Sequence, residues 1–384
     1  MNTLWPFLLN ILLFATAAFV FPYMVLFYQS LDFTGAQIGL LAGLAPLVTM
    51  VSAPFWTGLA DQTRRHRLIL SVTLGVGTLV LIAVPQFNTF LPILLLVLLY
   101  GAFYAPVTSF VDSATMFMLG DQKDLYGRVR LGGTIGFGVA ATIAGIYVEN
   151  NGLRYAFWGG ALLLFIGLLV SQKLVFGAGP AGVSVRQGVR RLIVDRRWIL
   201  FLTLALAGGV AMAANNTYFF PYLNGLGTPE SLMGLALTIG TLSEIPVLFF
   251  GNRLIQRFTA NGLLLLAMII SGLRMITLGL VQTPDAALLL QLINGLTFPA
   301  MWIAGVAYAD QYAPAGMRST AQGLFGAMVF GLGSALGGFV GGPILENWGG
   351  QAVFMIFGLV VLFVTAAVAV LQQRWLVAAE GSEA

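Results

Sequence analysis

The chain is predicted to be an all-α membrane protein, with twelve transmembrane helices in two pseudo-symmetric six-helix bundles. Three observations predict it. Hydrophobic residues make up 59% of the 384 and charged residues only 8%, whereas a soluble surface needs roughly a quarter to a third charge. Apolar stretches of about 20 residues, the length that spans a bilayer core, recur along the whole chain. Landmarks of the first half also return in the second: Phe21-Pro22-Tyr23 as Phe220-Pro221-Tyr222, Gly39 as Gly234, Pro54 as Pro246 and Gly101 as Gly295, at offsets of 192 to 199. Four landmarks at nearly one offset point to a duplicated unit.

In order, the spans are expected near 6–28, 36–59, 68–85, 90–119, 129–148 and 155–176 in the first half, and near 198–223, 231–250, 262–281, 286–308, 320–345 and 351–371 in the second. Span 1 carries Pro22, span 2 Pro54, span 4 Pro106, span 7 Pro221, span 8 Pro246 and span 10 Pro299; each should bend or unwind its helix. Span 5 is glycine-rich, with Gly132, Gly133, Gly136, Gly138 and Gly145 but no proline. Small-residue repeats such as Gly39 to Gly43, Gly333 to Gly337 and Gly338 to Gly342 allow close helix approach. Residues 1–172 form the N-terminal bundle, 173–197 a cytoplasmic linker and 198–384 the C-terminal bundle. The linker opens on Gly177-Ala178-Gly179-Pro180-Ala181-Gly182 and turns basic at Arg186, Arg190, Arg191, Arg196 and Arg197, as a flexible joint would.

Charge is read as topology. The formal net charge is +4, and the loops after even-numbered spans hold Arg64, Arg65, Arg67, Lys123, Arg128, Arg253, Arg257 and Arg318, against Arg154 alone on the opposite side. The positive-inside rule then puts both termini, the linker and the basic loops in the cytoplasm of a multi-pass cell (inner) membrane protein. No cleavable signal is expected at Met1 to Trp5, which lacks a basic n-region. There is no Cys, and the single His, His66, lies in a basic loop. No metal site and no cofactor are therefore expected, nor is nucleic acid a partner. Without intramembrane His or Cys and without a soluble domain, the chain is expected to be neither an enzyme nor a receptor.

The charges inside apolar sequence carry the function. A charge near the bilayer centre costs about 2.5 to 3.5 kcal/mol on insertion scales, so such residues line a polar path or bind something. Asp112 on span 4 and Arg130 at the start of span 5 fall at similar depth and should pair; Glu244 on span 8 and Arg274 on span 9 lie a few Å apart about the midplane, a gap a long Arg can close. A bidentate pairing would cost less than two lone charges and offer hydrogen bonds to hydroxyls or a carboxylate. Tyr104, Thr108 and Asp112 share one helix face; Asn215, Tyr218 and Tyr222 form a stripe on span 7 with Asn216 beside it; Asn294, Phe298, Met301 and Trp302 do so on span 10. Asn beside aromatic rings grips a sugar or nucleobase at its edge and face; helix packing is the other use of such stripes.

The loop Gly58-Leu59-Ala60-Asp61-Gln62-Thr63-Arg64-Arg65-His66-Arg67, the length and the six-plus-six repeat resemble the major facilitator superfamily, whose signature between spans 2 and 3 is a Gly, a Leu-Ala-Asp core and a basic tail. Thr57, Gln62 and Arg64 depart from that signature, while the acid and the basic cluster survive. The resemblance implies the major facilitator fold and a cytoplasmic gate that pairs Asp61 with Arg64, Arg65 or Arg67. Asp112 through Arg130, then Gly127 to Phe137, Glu244-Ile245-Pro246-Val247, Ser271 to Arg274 and Asn294 to Pro299 are similar to the lactose permease, aromatic-acid and nucleoside symporter branch. Lactose permease has a His and a Glu where this chain has Asn294 through Thr297, with neither. Substrate binding or coupling is thus expected at Asp112, Arg130, Glu244, Arg274, Tyr104, Asn215, Asn216, Tyr218, Asn294 and Trp302. The expected function is secondary active transport of a sugar, nucleoside or aromatic acid by alternating access, as a monomeric proton symporter in the lipid bilayer. The alternative is a drug or lipid exporter working by proton antiport.

Overall fold

The computed structural model of the protein describes residues 3–177, 195–313 and 317–383. Ten helices are α1 Leu4–Gln29, α2 Gly35–Thr63, α3 His66–Gln86, α4 Phe90–Leu119, α5 Tyr126–Asn151, α6 Arg154–Ser171, α7 Arg196–Gly225, α8 Glu230–Phe258, α9 Ala260–Leu280 and α10 Pro284–Tyr312, each long and apolar enough to cross a bilayer. The last apolar helical stretch, Thr320–Arg374, is 55 residues long. It is two helices, α11 (318–348) and α12 (350–383), because Gly349 breaks it at φ 79°. That left-handed value suits glycine. The described residues therefore hold the twelve membrane helices read from the hydropathy, in the all-α membrane architecture expected. Most of the joint expected at 173–197, including Arg186, Arg190 and Arg191, lies outside the described residues.

Helix starts follow local chemistry. Thr34 caps α2 through a reciprocal box: the Gln37 N–H donates to Thr34 Oγ1 at 3.3 Å and the Thr34 N–H to Gln37 Oε1 at 3.0 Å. The prolines act unequally. Pro22 sits in a 3-10 turn, Phe21–Tyr23, Pro106 marks the break between Tyr104 and Val107, and Pro299 follows a 3-10 stretch, Leu290–Leu296. Pro54 and Pro246 are accommodated inside continuous α-helix, so the expected bends do not all occur. Two π-helical segments, Ala214–Tyr218 in α7 and Ala327–Gly333 in α11, have no counterpart in the hydropathy pattern.

The two halves meet along two seams, α2 against α11 and α5 against α8. Glycine makes both possible. A Cβ on Gly39 would come within 2.8 Å of the Phe339 carbonyl oxygen, and one on Gly234 would meet the Ala141 carbonyl, so backbones touch directly. On the α5–α8 seam Thr238 Oγ1 donates to Gly138 O at 2.6 Å and shares a 2.8 Å hydrogen bond with Thr142. Tyr23 of α1 meets Phe220 of α7 edge to face, with centroids 4.9 Å apart. Both members of that contact come from the repeated Phe-Pro-Tyr landmark.

Candidate functional site

Below the seams, toward the basic loops, the halves enclose a cavity of about 1010 Å³, counting the part open to solvent. The first half contributes Phe14, Thr134 and Phe137; the second contributes Asn215, Asn216, Thr241, Glu244, Asn294 and Phe298 among others. Rings thus face carboxamides, hydroxyls and one carboxylate across the gap between bundles.

The π-segment of α7 places Asn215 and Asn216 at this wall. A π-turn adds one residue to the turn and so shifts the register of the side chains around it. Asn215 is engaged at both polar atoms: its Nδ2 donates to Ala211 O at 3.0 Å and its Oδ1 accepts from Arg274 Nη1 at 2.9 Å. Asn216 is exposed to the cavity and has no hydrogen-bond partner among the described residues. It is the free carboxamide of the site.

Arg274 is only 2% exposed. Its Nε donates to Leu290 O at 3.0 Å and its Nη2 to Gln291 Oε1 at 2.8 Å, besides the bond to Asn215. The expected Arg274–Glu244 ion pair is absent among the described residues. Glu244 instead accepts from Asn294 Nδ2 at 2.9 Å. The cause lies in the helix irregularities: the π-segment of α7 and the 3-10 stretch of α10 turn oxygens toward Arg274, which points away from the cavity, while Glu244 points into it. A buried cation is costly unless hydrogen-bonded, and these three acceptors engage each of its nitrogens. Gln291, buried at 3% exposure, is absent from the sequence-based set, because an amide in an apolar span carries no periodic signal.

Asp112 and Arg130 do meet. Arg130 Nη1 donates to Asp112 Oδ1 at 2.8 Å and to Oδ2 at 3.2 Å, with both side chains about one-third exposed. One nitrogen serves both oxygens, so the pairing is not the bidentate fork expected. The guanidinium lies 5.6 Å from the centroid of Phe14, which lines the cavity, so the pair stands at the cavity's edge through that ring.

Other expected residues lie elsewhere. Tyr104 stacks on Tyr100, centroids 5.0 Å apart, away from the cavity lining. Tyr218 is buried and its hydroxyl donates to Gly338 O at 2.5 Å, tying α7 to α11. Tyr222 likewise donates to Leu278 O at 2.8 Å. Trp302 packs behind the wall against Phe298 and Phe330, at 6.1 and 4.9 Å. Thr134, Phe137, Thr241, Ser271 and Thr297 line the cavity and lie outside the expected set; the helix face of α5 that carries Arg130, Thr134 and Phe137 is the signal that could have found the first two.

At the basic face, Asp61 contacts His66 Nε2 at 2.9 Å, and no ion pair joins it to an arginine among the described residues. His66 stacks on Phe176 at 5.5 Å. Arg64 ends α2 in left-handed geometry, φ 56°, Arg65 is the N-cap of α3, and Arg67 donates to Leu174 O at 2.7 Å. Of the expected gate residues, Asp61 and Arg67 thus have partners other than each other. Among the described residues no cluster of His, Cys, Asp and Glu could hold a metal ion.

The model of the MFS_1 like family matches residues 7–357. The chain belongs to that family. This major facilitator transporter is 29% identical over 362 residues to a maltose permease of Geobacillus stearothermophilus, covering 93% of this chain and 91% of that one. It is 23% identical to a putative nucleoside transporter, YegT, of Escherichia coli, over 86% of this chain and 85% of the relative. A multidrug resistance protein, MdtG, of Enterobacter lignolyticus is 24% identical over 91% of this chain and 87% of its own. Among solved structures, the nucleoside transporter NupG superposes with a TM-score of 0.84 at 19% identity, covering 96% of this chain and 99% of that one. The major facilitator fold implied by the resemblance is the fold observed, and the protein is a transporter rather than an enzyme.

Proposed function

We propose that this transporter carries a small polar organic solute, a sugar, nucleoside or aromatic acid, across the cell (inner) membrane by alternating access, as a monomer and with protons as the coupling ion. The carrying observation is the cavity between the bundles, where the free Asn216 carboxamide and the Glu244 carboxylate face the rings of Phe14, Phe137 and Phe298. Rings stack on a flat or hydroxylated solute while the amide and carboxylate read its edge. With the basic loops cytoplasmic, the seams close the outer face and the cavity opens inward. Import then requires the seams to part and the basic face to close. Asp112 with Arg130 at the cavity's edge, and Glu244 within it, are the carboxylates that would take the coupling proton. The maltose permease and nucleoside transporters among the relatives fit this solute class.

The test is thermal stabilisation of purified protein by maltose, uridine and phenylpropionate at pH 6 and pH 8, with uptake into proteoliposomes under a proton gradient. A ligand at a hundred times its Kd adds about 2.7 kcal/mol to the folded state. Stabilisation by one class, lost in Asn216→Leu, and gradient-driven accumulation, lost in Glu244→Gln with exchange retained, are expected. Accumulation retained in both Asp112→Asn and Glu244→Gln would refute proton coupling through either carboxylate. The relationship to MdtG favours a second reading, export of an apolar cation; stabilisation by a cationic dye alone, with dye efflux from cells, would put that reading first.

A further inference from the structure

The ends of α5 and α11 carry one motif twice. Residues 145–152 and 342–349 both read Gly-x-x-x-Glu-Asn-x-Gly, and 342 minus 145 is 197, within the spacing of the internal repeat. The structure repeats as well. Asn150 Nδ2 donates to Ile146 O at 2.7 Å and Asn347 Nδ2 to Pro343 O at 2.8 Å. Both closing glycines adopt positive φ, 99° at Gly152 and 79° at Gly349, and end their helices.

The two glutamates reach in opposite directions across the pseudo-twofold axis. Glu149, in the first half, accepts the Ser231 N–H at the start of α8 at 2.9 Å. Glu346, in the second half, accepts the Gly35 N–H at the start of α2 at 2.8 Å. One turn before each glutamate, the motif's first glycine lies against the same partner helix. A Cβ on Gly342 would meet Gly39 Cα at 2.7 Å, and one on Gly145 would meet Ser231 Cα at 3.0 Å. Glycine and glutamate four residues apart share a helix face, so the glycine brings the backbones together and the acid then covers free N–H groups at the partner's positive end.

We propose that this repeated motif is a pair of reciprocal latches that hold the face away from the basic loops closed. Each half supplies one carboxylate and receives the other, and both contacts exist only while the seams are shut. Removing the carboxylates therefore favours the opposite state, in which this face is open. The chain has no Cys, so single-cysteine reporters need no prior replacements. Thr142→Cys, on the α5–α8 seam, reports access from the latch face; Thr134→Cys, in the cavity, reports access from the basic face. Each is combined with Glu149→Gln, Glu346→Gln and the double change, then labelled with a membrane-impermeant maleimide in right-side-out and inside-out vesicles.

Both glutamates are exposed, so each single change should raise the labelling rate at Thr142→Cys about two- to fivefold, and the double change should raise it further. Labelling at Thr134→Cys from the basic face should fall in the same variants. Opposite signs at the two reporters mark a shift between states. Unchanged labelling at Thr142→Cys in the double variant overturns the proposal, and so does a parallel rise at both reporters, which would mean a loosened fold.

Discussion

Replacing Gln291 with Leu tests whether Arg274 is a pinned structural cation. Gln291 Oε1 accepts from Arg274 Nη2 at 2.8 Å, and both side chains are almost wholly buried. Leucine of similar size keeps the packing but leaves one guanidinium N–H facing nothing. An unsatisfied buried donor costs about 1 to 3 kcal/mol, more when charged. For a domain of this size that corresponds to a fall in Tm of roughly 2 to 4 °C for each kcal/mol. The assay is thermal unfolding of the purified protein in detergent, with Asn216→Leu as comparator. Asn216 gives no hydrogen bond to the described residues, so its replacement should leave Tm within about 1 °C while removing stabilisation by solute. Gln291→Glu supplies an oxygen at the same place and should restore Tm. If Gln291→Leu melts with the wild type, the three-acceptor account of Arg274 is wrong. The same holds if Asn216→Leu shows the larger loss.

Asp112→Asn should lower Tm by no more than about 4 °C, because the pair is one-third exposed and such ion pairs contribute about 1 kcal/mol or less, yet it should abolish accumulation in the uptake assay. Gly234→Val places a side chain against the Ala141 carbonyl on the α5–α8 seam; overpacking of about 1 to 3 kcal/mol should reduce uptake and raise maleimide labelling at Thr142→Cys from the latch face. Asp61→Asn should leave Tm nearly unchanged, since Asp61 is 73% exposed, whereas His66→Ala loses the Phe176 stack and should melt lower; equal melting of the two variants would contradict this.

The fold is legible because bilayer physics leaves few choices: an apolar stretch of the right length must be a helix. The span expected at 90–119 and the helix Phe90–Leu119 agree residue for residue, and the split of the last stretch follows from the polar break near Gly349. Charges are harder. Asp112 and Arg130 lie on consecutive helices joined by a short loop, so their depth alone brings them together. Glu244 and Arg274 also lie on consecutive helices at similar depth, but depth does not fix the direction a side chain faces. The π- and 3-10 segments do, and nothing in local propensity announces them. His66 reads as a plain loop residue, although Asp61 stands five positions away. The twofold Gly-x-x-x-Glu-Asn-x-Gly repeat is visible in the letters, yet its meaning requires knowing which helix each glutamate touches.

The glycine seams have one consequence for how the protein avoids short-circuiting its membrane. Where side chains close a passage, single rotamers can swing aside and let water or protons through piecemeal. Where Gly39 and Gly234 set main chain against main chain, nothing local can swing. Such a barrier yields only when whole helices separate, which makes opening concerted and leaves no partly ajar state through which ions could leak.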